Sequence, residues 1–551
     1  MRQTTLCVPL EVKPESCSRL VALIEDLKRA EDKGSDPRTA NFFRLHNQIP
    51  TLHFLSMSVF PAAEFDPMFI IEANFDGPPG PFWRQIDAVA GERIRAMIRC
   101  CKRPRDDTGA LYDAVTEPGS KVAVARYLEA RTEQPSVFHH GNRGLSRDRI
   151  LEDHQLFLAV RAEIDRPTGG RPSPYRTGTA AQAQTLLRAA MLPVFPWLDD
   201  PAPKRISLSE RISDIFRLLR FIVVALVALT LPGLLLAAAL RWQVYLSMLG
   251  ITAIIIFALL FKHRAAIAGT EVINRGKVHL LSPVKLLLLL VGAALTIFLA
   301  TLVVTPIILA IDAIGRFATP FDTAAIPIAA REAAYVAALG VVSVFVTLPL
   351  IVLILRYNEM RDSAQDRPPQ DERMLREMIR REDWIAQNHM GSIVLIKPGI
   401  LRSIIIRAGH YGLGLFLRVT ATDGYLGSMR TVHFAHWAFL NNHSRLLFFS
   451  NFDHSWDSYL DDFIEKAHAG LTLAWGSGIG FPPTRLLVYD GASHGRQFKN
   501  WALASRTVSR LWYSAYPDLT VDQIERNHQI ANGLRKRSMT EEEATAWHWL
   551  L

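Results

Sequence analysis

Thr51-Leu52-His53-Phe54 and Thr431-Val432-His433-Phe434 are two versions of one string, and the residues that follow each also correspond. Asn74-Phe75-Asp76 returns as Asn451-Phe452-Asp453. Leu145-Ser146-x-Asp148-x-Ile150-x-x-x-His154-Gln155-Leu156 returns as Leu519-Thr520-x-Asp522-x-Ile524-x-x-x-His528-Gln529-Ile530. The offset drifts from 380 to 377 to 374 residues, as it does when short loops gain and lose positions around a constant framework. One soluble unit is therefore expected twice.

Between the copies lie four stretches without a charged side chain, at 221–240, 242–261, 286–311 and 333–355. Each is long enough to cross a bilayer at about 1.5 Å per helical residue. Arg241 alone separates the first two, which makes a tight hairpin, and Pro232, Pro306 and Pro349 are expected to kink three of the helices. Lys204, Arg205, Arg211, Arg217 and Arg220 precede the first span, five Lys or Arg stand between 262 and 285, and Arg356 to Arg381 follow the last. Only Arg241, Arg316 and Arg331 lie on the other side. Basic residues resist translocation, so the protein is expected in a bacterial inner membrane with both termini and both copies in the cytoplasm.

Composition fits that division. A positive mean hydropathy and 21% charged residues over 551 suit two modest soluble domains around a membrane unit. The net charge of +9 comes from arginines flanking the spans, with no basic run interleaved with aromatics, so nucleic acid is not an expected partner. Positions 1–14 lack a signal pattern. Cys7, Cys17, Cys100 and Cys101 have no paired metal spacing and are expected as free thiols.

Apolar periodicity in the first copy predicts strand, helix, strand, strand, helix, strand, helix: 4–12, 16–29, 51–60, 68–76, 82–100, 137–140, and a helix capped by Ser146. Strand-helix-strand-strand-helix-strand is the ferredoxin-like pattern. The second copy shows the hairpin at 431–440 and 445–453 and the helix capped by Thr520, with no leading strand visible ahead of Thr431. The fold class expected is α+β plus membrane α: two repeated ferredoxin-like domains flanking a four-helix transmembrane unit. The boundaries are 1–165 for the first domain, 166–215 for a linker and pre-membrane helix, 216–360 for the membrane unit, 361–425 for interfacial amphipathic segments and 426–551 for the second domain. Two such units on one membrane face are expected to pack on each other. Within 361–425, the stretch 400–419 is nearly as apolar as a span but contains Arg402, Arg407, His410 and Arg418. A mid-bilayer charge costs roughly 2.5 to 3.5 kcal/mol, so this stretch is assigned to the headgroup layer.

The four spans contain no ionisable group, which argues against an ion or proton transporter. Chemistry is sought instead in the repeated residues. His53 and His433, on strands, and His154 and His528, in helices, are the candidate cofactor-binding residues, since imidazole ligates haem iron. Each also has a structural explanation as a histidine bonded within the fold. Asn74, Asp76, Asn451 and Asp453 end strands just before helices, where a carboxylate serves either as acid/base or as a cap for helix amides. No metal site is assigned.

The segment Thr431-Val432-His433-Phe434, Asn451 through Phe463, and Trp512-Tyr513-Ser514-Ala515-Tyr516-Pro517 resembles a bacterial membrane-protein family of uncharacterised function labelled catalase-like or peroxidase-like. The resemblance covers about the last third of the chain and, more weakly, the first. The fold type is also similar to dye-decolourising peroxidases and chlorite dismutases, which hold haem in ferredoxin-like units. Dye-decolourising peroxidases carry Gly-x-x-Asp-Gly, whereas this chain has Ala73-Asn74-Phe75-Asp76-Gly77, without the first glycine. Two functions follow as expectations. One is a membrane-anchored cytoplasmic module that binds an apolar ligand, a lipid or a partner. The alternative is a haem-dependent peroxidase-like oxidoreductase, with Asp76 or Asp453 as acid/base and His528 or His154 as axial ligand.

Overall fold

The computed structural model describes residues 3–31, 42–61, 66–167, 173–202, 204–262, 325–382, 386–421 and 429–551. Strands form where apolar and aromatic residues run together. They are β1 (Gln3–Glu11), β2 (Leu52–Phe60), β3 (Met68–Asp76), β4 (Val137–His140), β5 (Gln387–Leu395), β6 (Val432–Leu440), β7 (Arg445–Asp453), β8 (Thr484–Arg485), β9 (Tyr489–Asp490), β10 (Arg506–Thr507) and β11 (Leu511–Ser514). One sheet runs β1-β3-β2-β11, a second runs β10-β5-β7-β6-β4, and β8 pairs with β9; all pairings are antiparallel.

Two segments belong to both large sheets. Glu133 bridges Cys7 of β1, and four residues later β4 pairs with β6, from Val137↔Trp437 to His140↔Phe434. In the other direction β10 pairs with β5 at Thr507↔Gly391, and β11 then pairs with β2, from Leu511↔Met57 to Ser514↔Phe54. Two continuous chain segments therefore link the edges of the two sheets and cover them. Between the sheets lies an apolar cluster of Cys7, Phe60, Met68, Ile70, Ala438, Leu440, Leu447 and Phe449.

Helices cover the outer faces. Cys17–Glu31 and Pro79–Arg99 bury Leu20, Ile24, Trp83 and Ile94 with Leu55, Met57, Phe69 and Ile71 of the first sheet. Trp456–Trp475 and Gly495–Ser505 bury Phe463, Trp475 and Trp501 with Trp437 and Phe448 of the second. Ser146 and Thr520 cap the helices Arg147–Ile164 and Val521–Arg535 as the sequence suggests, and these two helices pack together.

The region ahead of Thr431 differs from expectation. A strand is present there: β5 pairs with β7 along its whole length, from Gln387↔Asp453 to Leu395↔Arg445, and the helix Ile400–Thr420 follows it. Polar residues and Gly391 interrupt the apolar alternation of 387–395, which hid the strand. The segments assigned to the headgroup layer pack against protein on one face and leave Ile379, Ile400, Ile404 and Phe416 exposed on the other. Met378 of Glu372–Glu382 is buried with Met390 and Val394, and His410 bonds Ser136 Oγ and the Ala474 carbonyl, each at 2.9 Å. The linker expected at 166–215 is also partly folded. Helix Ala180–Met191 buries Leu187 and Met191 beside Leu534 and Trp547, so the C-terminal helix Glu541–His548 docks on this body.

Four described helices are long and apolar enough to cross a membrane: Leu208–Ala239, Trp242–Leu259, Ala334–Glu359 and Ile400–Thr420. The stretch 286–311 and Pro306 lie outside the described residues. Pro232 and Pro349 sit within continuous helices. Small residues allow close approach, as a Cβ on Gly233 would meet Ser343 Oγ at 1.8 Å, and Tyr245 Oη donates to the Leu339 carbonyl at 3.3 Å. Ile400–Thr420 carries charges along its length, and two of them are paired: Arg402 with Asp362 at 3.1 Å and Arg418 with Asp214 at 3.1 Å.

Ion pairs also fix the other helix ends. Arg143 reaches Glu210 at 2.7 Å and Asp214 at 2.8 Å near the start of Leu208–Ala239, and Arg205 holds Glu525 through two bonds of 2.7 Å. At the end of Ala325–Glu359, the buried Glu359 carboxylate accepts from the Leu486 and Leu487 amides at 2.9 Å and from Arg356 at 2.6 Å.

The seam between β4 and β6 yields a direct test. A Cβ on Gly141 would come within 2.2 Å of the Val432 carbonyl oxygen, whereas one on Gly470, in a helix, meets nothing within 4 Å. Gly141→Ala is expected to lower the apparent Tm of the detergent-solubilised chain by several degrees. Gly470→Ala is expected to leave it equal or raise it, by about 0.5–1 kcal/mol of helix propensity.

Candidate functional site

The two copies of the Thr-x-His-Phe string build the same local device. The β2–β3 register slips between Leu52 and Phe54, and the β6–β7 register slips between Val432 and Phe434, so His53 and His433 are the extra residues of two β-bulges. Strict alternation, which would set His53 on one face with Leu55 and Met57, breaks there. His53 Nε2 lies 3.1 Å from Asp76 Oδ2, and His433 Nε2 lies 2.8 Å from Asp453 Oδ1. Each carboxylate accepts from the first amide of a helix, Asp76 from Arg147 N and Asp453 from Val521 N, both at 2.9 Å. Each also donates its own amide to the threonine that opens the string, Thr51 or Thr431, at 2.8 Å. A negative group at a helix N-terminus is favoured by the unpaired amides and the helix dipole. Strand end, bulge and helix start are thus tied by one buried carboxylate.

The asparagines orient histidines. Asn74 Nδ2 donates to Thr5 Oγ1 at 2.8 Å and lies 3.1 Å from His140 Nδ1, while Asn451 Oδ1 lies 2.6 Å from His389 Nδ1. Burial pushes His140 well below the ordinary histidine range and lowers His389. His154 and His528 lie at the seam of the two capped helices. His154 Nδ1 is 3.3 Å from Asn527, and His528 bonds Asp153 through Nδ1 at 2.8 Å and Asn532 through Nε2 at 3.0 Å. They stand apart from the bulges.

The space between the sheets holds a group the repeats do not announce. Glu72, 1% exposed, places Oε1 3.1 Å from His436 Nδ1 and Oε2 3.8 Å from His389 Nε2, and it accepts from Ser56 Oγ at 2.8 Å. Cys7 lies in the apolar cluster beside it, its thiol raised well above the usual value by burial and then by the Glu72 charge. Glu72 was visible in sequence as the one acid inside the apolar run Met68–Phe75. His436 and His389 were not, because they meet it only through β6 and β5. Among the described residues no cluster of His, Cys, Asp and Glu is arranged to hold a metal ion.

Haem does not fit the residues assigned to it. His53 uses both ring nitrogens, Nε2 on Asp76 and Nδ1 on the Tyr516 hydroxyl at 2.8 Å, and His528 likewise uses both. His433 is packed against Phe54 and Tyr516. A ligand of that size needs a slot of roughly 300 Å³ or more. The described pockets have cavity volumes of about 40, 180 and 20 Å³, and none is lined by His53, His433, His154 or His528. No family model, curated protein or solved structure matches the chain.

Removing one partner from a buried pair strands the other. Asp453→Ala is expected to destabilise the chain by about 3 kcal/mol or more, read as a fall in apparent Tm, and Asp453→Asn by less because an acceptor for Val521 N remains. Equal, small effects of the two would show that the carboxylate does not tie bulge to helix.

Proposed function

We propose that this chain carries two repeated ferredoxin-like units, joined into one barrel, that act as a binding module tethered to a membrane by its helices. The repeat is supported by order as well as sequence. β1, a helix, β2, β3, a helix and 133–140 are matched by β5, a helix, β6, β7, a helix and 506–514. The second unit then starts at β5, earlier than the 426 boundary drawn from sequence. Docking of the units is supported by the exchanged strands, since β4 lies on β6 and β11 on β2. Such pairing needs both units on one face of the membrane. That condition favours an even number of crossings, with Ile400–Thr420 serving as the sheet-covering helix of the second unit. The arginines flanking the spans make that face the cytoplasm of a bacterial inner membrane.

One observation carries the choice of binding module over oxidoreductase: Asp76, Asp453, Asn74, Asn451, His53, His433, His154 and His528 are each bonded to another part of the fold. The resemblance to catalase-like and peroxidase-like proteins then bears on architecture and leaves their chemistry aside. Arginines are the most frequent charged groups lining the pockets, Arg143, Arg211 and Arg418 with Asp214 near the start of Leu208–Ala239 and Arg381 and Arg506 with Glu382 beside β5.

Protein purified in detergent after expression with ample haem is expected to be colourless, and haem titration to give no saturable Soret shift. A stoichiometric Soret band that disappears in His433→Ala or His528→Ala would restore the haem oxidoreductase.

A further inference from the structure

Arg506 is a buried cation without the partners a buried cation requires. It is 7% exposed, and neither Nε nor Nη1 has a hydrogen-bond partner. Its guanidinium carbon lies 5.4 Å from the centre of the Trp456 ring, a contact that offsets only part of the lost solvation. Natural interiors rarely leave such a group unsatisfied, and each instance asks for an explanation.

Arg506 lines a pocket between the helix Glu372–Glu382, β5, β10 and β11. The indole Nε1 of Trp512, on the same pocket wall, is also buried without a partner. His389 lines it as well, its ring stacked between Trp512 and Phe449 at 6.2 and 5.2 Å, so the pocket adjoins the Glu72 cluster. Of the other charged lining groups, Arg381 donates to the Ser509 carbonyl at 3.0 Å and to Glu377. Burial lowers the Arg506 guanidinium to about 9, with Glu382 the main charge opposing that fall. Two unsatisfied cationic nitrogens and an indole N–H thus belong to side chains lining one small space, and each can only donate.

We infer that this pocket is a site for a small oxyanion, a carboxylate or phosphoryl group, held by Arg506 and Trp512. The cavity volume of about 20 Å³ admits the anionic tip of a ligand and no more, so the remainder of a larger molecule would project between the helix Glu372–Glu382 and the sheet. This deepens the binding-module proposal and rests on it.

The test is a thermal-unfolding titration of the full chain in detergent with acetate and, separately, inorganic phosphate, each against chloride at matched ionic strength. The wild type is expected to show a saturable rise in Tm with one or both anions, and the lower half-saturation names the group. Arg506→Met is expected to lose the anion-dependent rise while its anion-free Tm stays equal or climbs, because a buried unpaired charge is gone. Trp512→Phe is expected to raise the half-saturation concentration roughly fivefold, and Arg376→Met, an exposed arginine on the neighbouring helix, to leave it unchanged. Equal anion effects on wild type and Arg506→Met, or no saturable effect of either anion on wild type, overturn the site. If Arg506→Met does not fold, an unchanged half-saturation in Trp512→Phe overturns it. None of these outcomes depends on the haem titration, so failure of the site and failure of the binding-module proposal are separately visible.

Discussion

The N–H and C=O groups along β2 and β6 need partners, and in both cases a strand from the far end of the chain supplies them. β11, beginning at Leu511, closes the edge of β2, and β4, beginning at Val137, closes the edge of β6. Unpaired strand edges are open to water or to another chain, so this exchange makes each half incomplete without the other. The space between the sheets, with Phe60 against Phe449 and Glu72 against His436, exists only because the edges meet. Residues 137–140 and 434–437 pair although the long apolar helices lie between them in the chain.

Much of this was legible. β3 and β4 have the bounds that apolar periodicity assigns, and Ser146 and Thr520 cap their helices as the Ser/Thr-x-Asp pattern suggests. Local signals suffice there because strand alternation and caps are short-range properties. β5 was not legible, since Asn388, Gly391 and Ser392 interrupt its pattern and its character comes from pairing with β7. Ile400–Thr420 has a composition between span and surface because part of its polar set faces protein, Arg402 toward Asp362 and His410 toward Ser136, while Arg407 is exposed. At the candidate site, the repeat singled out His53, Asp76, His433 and Asp453 and left their use open. A recurring His and Asp can mark chemistry or a structural device, and the Asp76 and Asp453 contacts with helix amides became visible only in the fold. Arg506 gave no sequence signal, because a lone arginine before a strand is ordinary until its burial is known.

Buried charge is unusually frequent where the soluble body meets the helices. Asp214 holds Arg143 and Arg418, Glu359 holds Arg356 and two amides of the 484–490 turn, and Asp362 holds Lys397 and Arg402. Such pairs add little net stability over apolar packing, but they are geometrically demanding. Their effect is to fix the helix ends to particular loops of the barrel, so that a shift of either helix would be felt at the β8–β9 ribbon or at the Arg143 loop.

The exchange of strands across the repeat is tested most directly by a cross-link. Ser58 Oγ on β2 and Ser509 Oγ just before β11 lie 2.7 Å apart and are buried. In membranes carrying Ser58→Cys with Ser509→Cys, mild oxidation should join the peptide containing residue 58 to the peptide containing residue 509, detected by mass spectrometry and absent from either single variant. Failure to form that link, with the two thiols labelled from opposite sides of the membrane, would contradict the account.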